Sequence, residues 1–306
     1  MRIVIAGPGS LGCLLAARLC SVLCSGDDLL LLDHHRERAR QLNQSGFTLE
    51  HNGKTSHYMV QTTADPRHIK RCDFFLLCTR SGDVDTALAQ AESLLSPTTM
   101  LIGFQRGIKL LQNLIMPVAL ARSSSDTFLD SPGHVTCCDS GTIVIGQPDK
   151  SAAAEHRLDL LVQMFNAAGM HTRKTRDIEK KVWDIFLQDL AINALAAIYG
   201  RPYGQLLSSC SVRGNLKKVL KEAMAVARAQ GITISGDPIR TAFHTLRTDT
   251  KKIAPMFRDI QNKRVTEIDA LNGALVKLGR QLSIPTPINE DLVLRIKKLE
   301  EHYRTC

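Results

Sequence analysis

Nine cysteines occur in the 306 residues, yet no two stand in C-x-x-C spacing. Cys20 and Cys24 lie one helical turn apart and Cys137 adjoins Cys138, so neither a zinc ligand set nor a disulfide framework is laid out. An odd count in a chain long enough to build its own core points to reduced thiols, a cytoplasmic location and no metal. Uninterrupted apolar runs approaching the roughly 18 residues of a membrane span are also missing. The apolar start after Met1-Arg2 is broken by Gly7, Pro8 and Gly9 and meets Arg18 where an export signal stays uncharged. There is no zinc-finger spacing, no basic block interleaved with aromatics, no internal repeat and no low-complexity tract. Neither nucleic acid nor membrane is therefore an expected partner.

What the chain does have is the composition of an ordinary globular protein, 44% hydrophobic and 23% charged. Its net charge of +9 favours anionic ligands, among them phosphorylated cofactors and carboxylates. The most specific local signal comes first. Residues 2–6 form a short apolar, β-branched run that reads as a buried strand. Gly7, Gly9 and Gly12 then fit G-x-G-x-x-G, an apolar helical pattern follows through about Cys24, and a second apolar strand ends at Asp33. This order of elements is the dinucleotide-binding fingerprint. Gly7 permits the tight turn, Gly9 lets the backbone approach a pyrophosphate, and Gly12 lets helix and strand pack closely. The helix start at Ser10 and Leu11 turns its unpaired amides toward the phosphates. Asp33 is placed to accept hydrogen bonds from an adenosine ribose, which favours NAD(H). Directly after it, His34, His35, Arg36 and Arg38 suit a 2′-phosphate, with a solvated loop as their plainer reading. The coenzyme choice stays open.

The α/β pattern continues. "CDFFLLCT" (72–79) is a continuous apolar strand followed by Arg80, and a helical stretch near 83–95 leads to the strand "TTMLIGFQ" (98–105), followed by Arg106. Ligands of open α/β sheets sit beyond the carboxyl ends of strands, so Arg80 and Arg106 point to the cofactor crevice. "GHVTCCDSGTIVIG" (133–146) reads as a hairpin and "GMHTRKT" as the last strand. From about 178 the texture becomes helical, over 178–199, 212–230, 259–282 and 288–303, with Asn289 a candidate cap for the last helix. The expected fold class is α/β, with an N-terminal Rossmann domain over 1–176 and an all-helical C-terminal domain over 177–306.

One helix stands out. "KKVWDIFLQDLAIN" (180–193) aligns Lys181, Ile185, Asp189 and Asn193 on one stripe beside core-like Val182, Phe186, Leu187 and Leu190. Polar groups in a row beside core residues suggest the wall of a pocket.

"IAGPGSLG", "CDFFLLCTR", "W-x9-N-A-L-A-A-I-Y-G-R-P-Y-G" (183–204) and, most distinctively, "RVTEIDALNGALVKLGRQLSIPTPINE" (264–290) together resemble the ketopantoate reductase (2-dehydropantoate 2-reductase) family. The resemblance implies a cleft between the two domains that holds NADP(H) and a small anionic 2-oxo acid. It also implies reduction to a 2-hydroxy acid on the pantothenate route, and a helical domain serving substrate binding and dimerisation, which makes a homodimer possible. NAD(H) stays open because of Asp33.

The family's site residues carry over unevenly. Its proton-donating lysine falls on Ile185, its first asparagine on Asp189 and its second on Asn193. A family serine falls on Pro255, and the amide after the "TTMLIGFQ" glutamine on Arg106. The substrate-binding glutamate is kept as Glu267, and a lysine is matched by Arg80. The resulting catalytic candidates are Glu267, Asn193, Arg106, Asp189 and, one turn before Ile185, Lys181. Two readings follow: a reductase with a remodelled site, or a noncatalytic nucleotide-binding relative that has lost the chemistry.

Overall fold

The computed structural model describes residues 1–108, 114, 116–148 and 152–304. The chain divides into two compact units, Met1–Gln105 with Leu111–Ile178, and Arg106–Leu110 with Glu179–Cys306.

The first unit alternates strands and helices: β1 (Arg2–Ala6), α1 (Ser10–Leu19), β2 (Asp28–Leu32), α2 (Arg36–Ser45), β3 (Phe47–His51), β4 (Lys54–Tyr58), β5 (Gln61–Thr63) and β6 (Phe74–Leu77). It continues with α3 (Val84–Gln90), β7 (Met100–Gly103), β8 (Val118–Ser123), β9 (Asp126–Ser131), β10 (His134–Asp139), β11 (Thr142–Gly146), α4 (Ala152–Ala167) and β12 (His171–Lys174). The main sheet has the order β12-β11-β8-β7-β6-β1-β2-β5. From β5 to β8 every neighbouring pair is parallel. Numbered by appearance, those six strands run 3-2-1-4-5-6, the doubly wound order whose reversal beside the first strand creates a ligand crevice. β1 shows why its residues are apolar without alternation. Ile3 and Ile5 enter one core with α1 and α4, while Val4 and Ala6 enter another beneath α3.

A smaller sheet, β4-β3-β10-β9, packs on α1 through Phe47, Leu49, Val135 and Cys137. Enclosed on both sides, α1 buries Gly12 to Ala17 without a break, as expected of a helix with no polar face. It ends at Leu19, not near Cys24. Beyond it the chain tightens into turns, the Ser21 and Val22 amides donating three residues back to Arg18 and Leu19. The Ser21 hydroxyl also donates to the Arg18 carbonyl, and the Asp27 carboxylate accepts the Cys24 amide.

The expected 133–146 hairpin is not formed. β10 pairs with β9 and β3, whereas β11 joins the main sheet beside β8 and β12. Gly141 makes the transfer at φ +63, where a Cβ would lie 2.5 Å from the Ser125 amide nitrogen. The true hairpin, β9–β10, turns at Pro132-Gly133, with Gly133 at φ +80 as a type II turn requires.

Among the described residues every cysteine is unpaired. Burial pushes the thiols of Cys13 and Cys72 up to about 12, so both act as packing groups.

The second unit consists of α5 (Ile178–Tyr199), α6 (Tyr203–Leu206), α7 (Cys210–Ala229), α8 (Pro238–Thr248), α9 (Pro255–Gln261), α10 (Ala274–Gln281) and α11 (Pro287–Arg304). α5 is long and apolar enough to cross a membrane by length and composition, but it is the central core helix here. Phe186, Leu187, Leu190, Ala191, Ala194 and Leu195 are all fully buried within the unit's core. The expected 259–282 helix is interrupted. α9 stops at Gln261, Lys263 takes φ +53, and a π-turn over Asp269–Gly273 precedes α10. Its signature is the Gly273 amide donating to Ile268, five residues back, at 2.9 Å.

Asn289 is not a cap. It lies inside the first turn of α11, and the Glu222 carboxylate of α7 accepts the Ile288 and Asn289 amides at 2.9 and 3.0 Å. The Asn289 side chain instead joins a buried chain, accepting from Asn272, whose amide also donates to the Leu190 carbonyl of α5.

Candidate active site

In the first unit the glycine loop follows β1. Gly7 takes φ +91, and a Cβ there would meet the Thr79 amide nitrogen at 2.9 Å. At Gly12 a Cβ would lie 2.2 Å from the Gly7 carbonyl oxygen, so the turn and the first turn of α1 close only with hydrogen at that place. Gly9 is different. Its backbone is extended (φ −84, ψ −162), and a Cβ would meet nothing within 4 Å. The fold therefore demands Gly7 and Gly12 but not Gly9.

The first helical bond of α1 runs from the Cys13 amide to the Gly9 carbonyl at 2.9 Å. The amides of Ser10, Leu11 and Gly12 precede it and have no acceptor within the helix. Nearby, the Thr79 hydroxyl is buried with no hydrogen-bond partner among the described residues, a donor that composition alone does not flag. Arg80, just past β6, is exposed at the start of a short 3-10 turn.

Asp33 directly follows β2 with its side chain fully buried, and both oxygens are bonded. Arg38 holds them in a fork at 2.5 and 2.7 Å, and the His35 amide adds a third bond at 3.0 Å. The sequence offers this carboxylate to a ribose; the structure gives it to Arg38, five residues on. Arg36, on the first turn of α2, is exposed.

The second unit gathers the other candidates. Arg106 follows β7 in sequence but belongs to this unit. Its neighbour Gly107 packs so closely that a Cβ would come within 2.8 Å of the Ala270 carbonyl, which brings residues 106–107 against the segment bearing Glu267. Arg106 Nη1 donates to both Asp189 oxygens at 3.2 and 3.3 Å. Asn193, one turn further along α5 and 2% exposed, donates to the Asp189 carbonyl at 2.8 Å and to Oδ1 at 3.3 Å. Its own Oδ1 accepts the Met256 amide at 3.3 Å, so the α5 side chain caps α9. Pro255, at the start of α9, contributes neither hydroxyl nor N–H.

Asp189 raises the pKa of Arg106 further above its ordinary value; burial opposes this, and Glu267 and Tyr203 add to it. Arg106 therefore keeps its charge at every physiological pH. Lys181 has gone elsewhere: its ammonium faces Asp184 at 3.8 Å. Position 184 lies about 60° around the helix from 181, on the side opposite 185 and 189.

The residues missed by sequence reasoning act from a distance. Tyr203, 6% exposed, lies near enough to influence Arg106. Glu300 of α11, 1% exposed, accepts the Thr266 amide at 2.8 Å and its hydroxyl at 2.6 Å. Thr266 in turn accepts the Ile268 amide at 3.2 Å, so both neighbours of Glu267 are pinned. Nothing in the spacing of a C-terminal helix signals that role. Glu300→Ala strands two buried donors and is expected to destabilise the protein by about 2–4 kcal/mol. The check is urea unfolding, and an unchanged midpoint would refute the assignment.

Comparison with known proteins gives the family of the chain. Residues 3–150 fit the family model described as Ketopantoate reductase PanE/ApbA, and residues 177–300 fit the model of its C-terminal region. The 2-dehydropantoate 2-reductase of Halobacterium salinarum is 25% identical over 295 residues, spanning 94% of this chain and 95% of its own. A solved PanE/ApbA family ketopantoate reductase from Ralstonia eutropha JMP134 has a TM-score of 0.88 at 27% identity, covering 99% of this chain and 100% of that one. D-mandelate dehydrogenase, solved with NADH and anilino(oxo)acetate, shares the fold with a TM-score of 0.90 at 21% identity, covering 99% and 100%. Both halves of the molecule carry the same signature, and the chain belongs to the ketopantoate reductase family.

Proposed function

We propose that this chain is an NAD(P)H-dependent reductase of 2-oxo acids, with the substrate end of its site rebuilt around Arg106. The observation that carries the nucleotide half of the reading is Gly9: open space where the fold has no need of glycine, beside free-ended helix amides and the buried Thr79 hydroxyl. That combination fits a pyrophosphate. Gly7, Gly9, Ser10, Leu11 and Gly12 would hold the nucleotide, which supplies hydride when bound.

The substrate end is the work of the second unit. Arg106 offers the guanidinium edge not facing Asp189 to the substrate carboxylate or to the oxygen that gains charge during reduction. It holds its proton too firmly to act as an acid, so water delivers the proton. Glu267, with both neighbours fixed by Glu300, accepts from substrate hydroxyl groups. Asn193 orients Asp189. Oxidation of the reduced coenzyme by purified protein, over ketopantoate and a panel of 2-oxo acids with neutral, anionic and cationic side chains, tests the reading; no turnover with any of them would overturn it. A second reading, a nucleotide binder without catalysis, draws on Ile185 and Pro255, where no proton donor stands. It predicts full nucleotide affinity with no turnover.

For the coenzyme we infer NADPH over NADH. Asp33 is fully buried with both oxygens bonded to Arg38, which competes with a ribose for them. The Arg38 nitrogen outside that fork is the donor we assign to a 2′-phosphate. Arg38→Ala is expected to weaken NADPH binding about 10- to 100-fold while changing NADH binding little, the scale of one charge-assisted contact. Titration calorimetry with both coenzymes decides. An equal loss for the two would remove Arg38 from 2′-phosphate recognition.

A further inference from the structure

The Arg106–Asp189 pair has a consequence for the substrate, given the reductase reading above. A carboxylate seated beside an arginine gains most when that cation is not already balanced. Here Asp189 faces the guanidinium through one nitrogen only, at 3.2 and 3.3 Å. The pair by itself carries no net charge, Glu267 adds a second carboxylate that acts on Arg106, and an incoming monoanion would add to that negative excess.

Asp189 is not an incidental neighbour. It is held by α5 itself, because Asn193 donates to its carbonyl and to Oδ1. Asn193 cannot turn its amide over without losing the Met256 bond to its own oxygen. The amide thus presents N–H to Asp189. The contacts to the Asp189 oxygens are all long, 3.2 to 3.3 Å, and the side chain is 14% exposed. A carboxylate has about four acceptor positions, so these contacts leave capacity for another donor. On the other partner, Nη1 faces Asp189, which leaves the remaining guanidinium edge the fork geometry that matches a carboxylate.

A ligand bearing both charges would complete the two half-used groups together. We propose that the substrate is a 2-oxo acid that also carries a cationic nitrogen, its carboxylate on Arg106 and its nitrogen on Asp189. The pair then works as a charge-matched filter: zwitterions enter without unbalancing it, and simple anions do not.

The test uses ω-dimethylammonio 2-oxo acids, which keep one N–H donor and cannot form an imine with their own ketone, against their neutral isopropyl isosteres at several chain lengths. Initial rates are measured with the full chain and saturating NADPH. The cationic member of at least one pair is expected to show a kcat/KM about tenfold or more above its isostere. Asp189→Asn is expected to reverse that preference. Neutral isosteres or plain 2-oxo acids turned over faster by the wild type would overturn the proposal while leaving the reductase reading intact. No turnover of any 2-oxo acid, charged or neutral, by protein that binds NADPH would defeat that reading and this proposal with it. If Asp189→Asn does not fold, the wild-type ratio alone decides.

Discussion

Gly9→Asp is expected to give a folded protein that no longer binds NADPH or NADH. The substitution is unusual among glycine replacements because the local structure tolerates it. Gly9 has an ordinary extended φ, and no atom lies within 4 Å of the Cβ position. The thermal midpoint should therefore stay within a few degrees, the scale of surface changes of about 0.5 kcal/mol. What the aspartate does is place a carboxylate where the pyrophosphate must approach, at a helix end whose amides it would satisfy itself. Affinity should fall by about 100-fold or more, the combined effect of like-charge repulsion and a filled cradle. Gly12→Ala is the contrasting control, since its Cβ would stand 2.2 Å from the Gly7 oxygen and should disrupt the unit before any ligand is added. Calorimetric titration of both coenzymes into the two variants, beside thermal melts, separates the outcomes. A folded Gly9→Asp protein with unchanged affinity would move the nucleotide away from this loop.

Arg106→Ala should have the largest effect on turnover. The side chain is the proposed partner of the substrate carboxylate or of the developing alkoxide, and removal of one such group costs about 10²–10³ in rate. A second loss accompanies it. Asp189 would be left without its cation at a partly buried position, raising repulsion toward any anionic substrate. Arg106→Lys should recover only part of the activity, because an ammonium cannot face Asp189 and fork a carboxylate together. Nucleotide affinity should be unchanged in both variants. Steady-state kinetics with NADPH saturating are the check, and full activity in Arg106→Ala would remove it from the site.

The parts of the fold that follow from short-range pattern were legible. The buried strands around 2–6 and 74–77 read correctly because strands covered on both faces have no alternation to confuse. α5 was located residue for residue by its apolar content, and the glycine loop by its spacing. Long-range pairing was not legible. Nothing in "GHVTCCDSGTIVIG" states that β10 belongs to one sheet and β11 to another; that depends on β9 and β3 offering an edge and on the Gly141 turn. The same holds at the site. Placing Asp189, Asn193 and Ile185 on one stripe needed only helical geometry. That Asp33 is taken by Arg38, that Lys181 leans to Asp184, and that Glu222 rather than Asn289 caps α11 are competitions between side chains. Spacing identifies the competitors without naming the winner.

The central claim is that this chain transfers a hydride to the ketone carbon of a 2-oxo acid. NADPH deuterated at the transferring position, incubated with purified protein and the best substrate from the 2-oxo acid panel, tests it directly. The account predicts one deuterium on carbon 2 of a single enantiomer of the 2-hydroxy acid, formed in step with coenzyme oxidation and lost with Arg106→Ala. Coenzyme bound but unconsumed across the panel, or a product without the label, would contradict it.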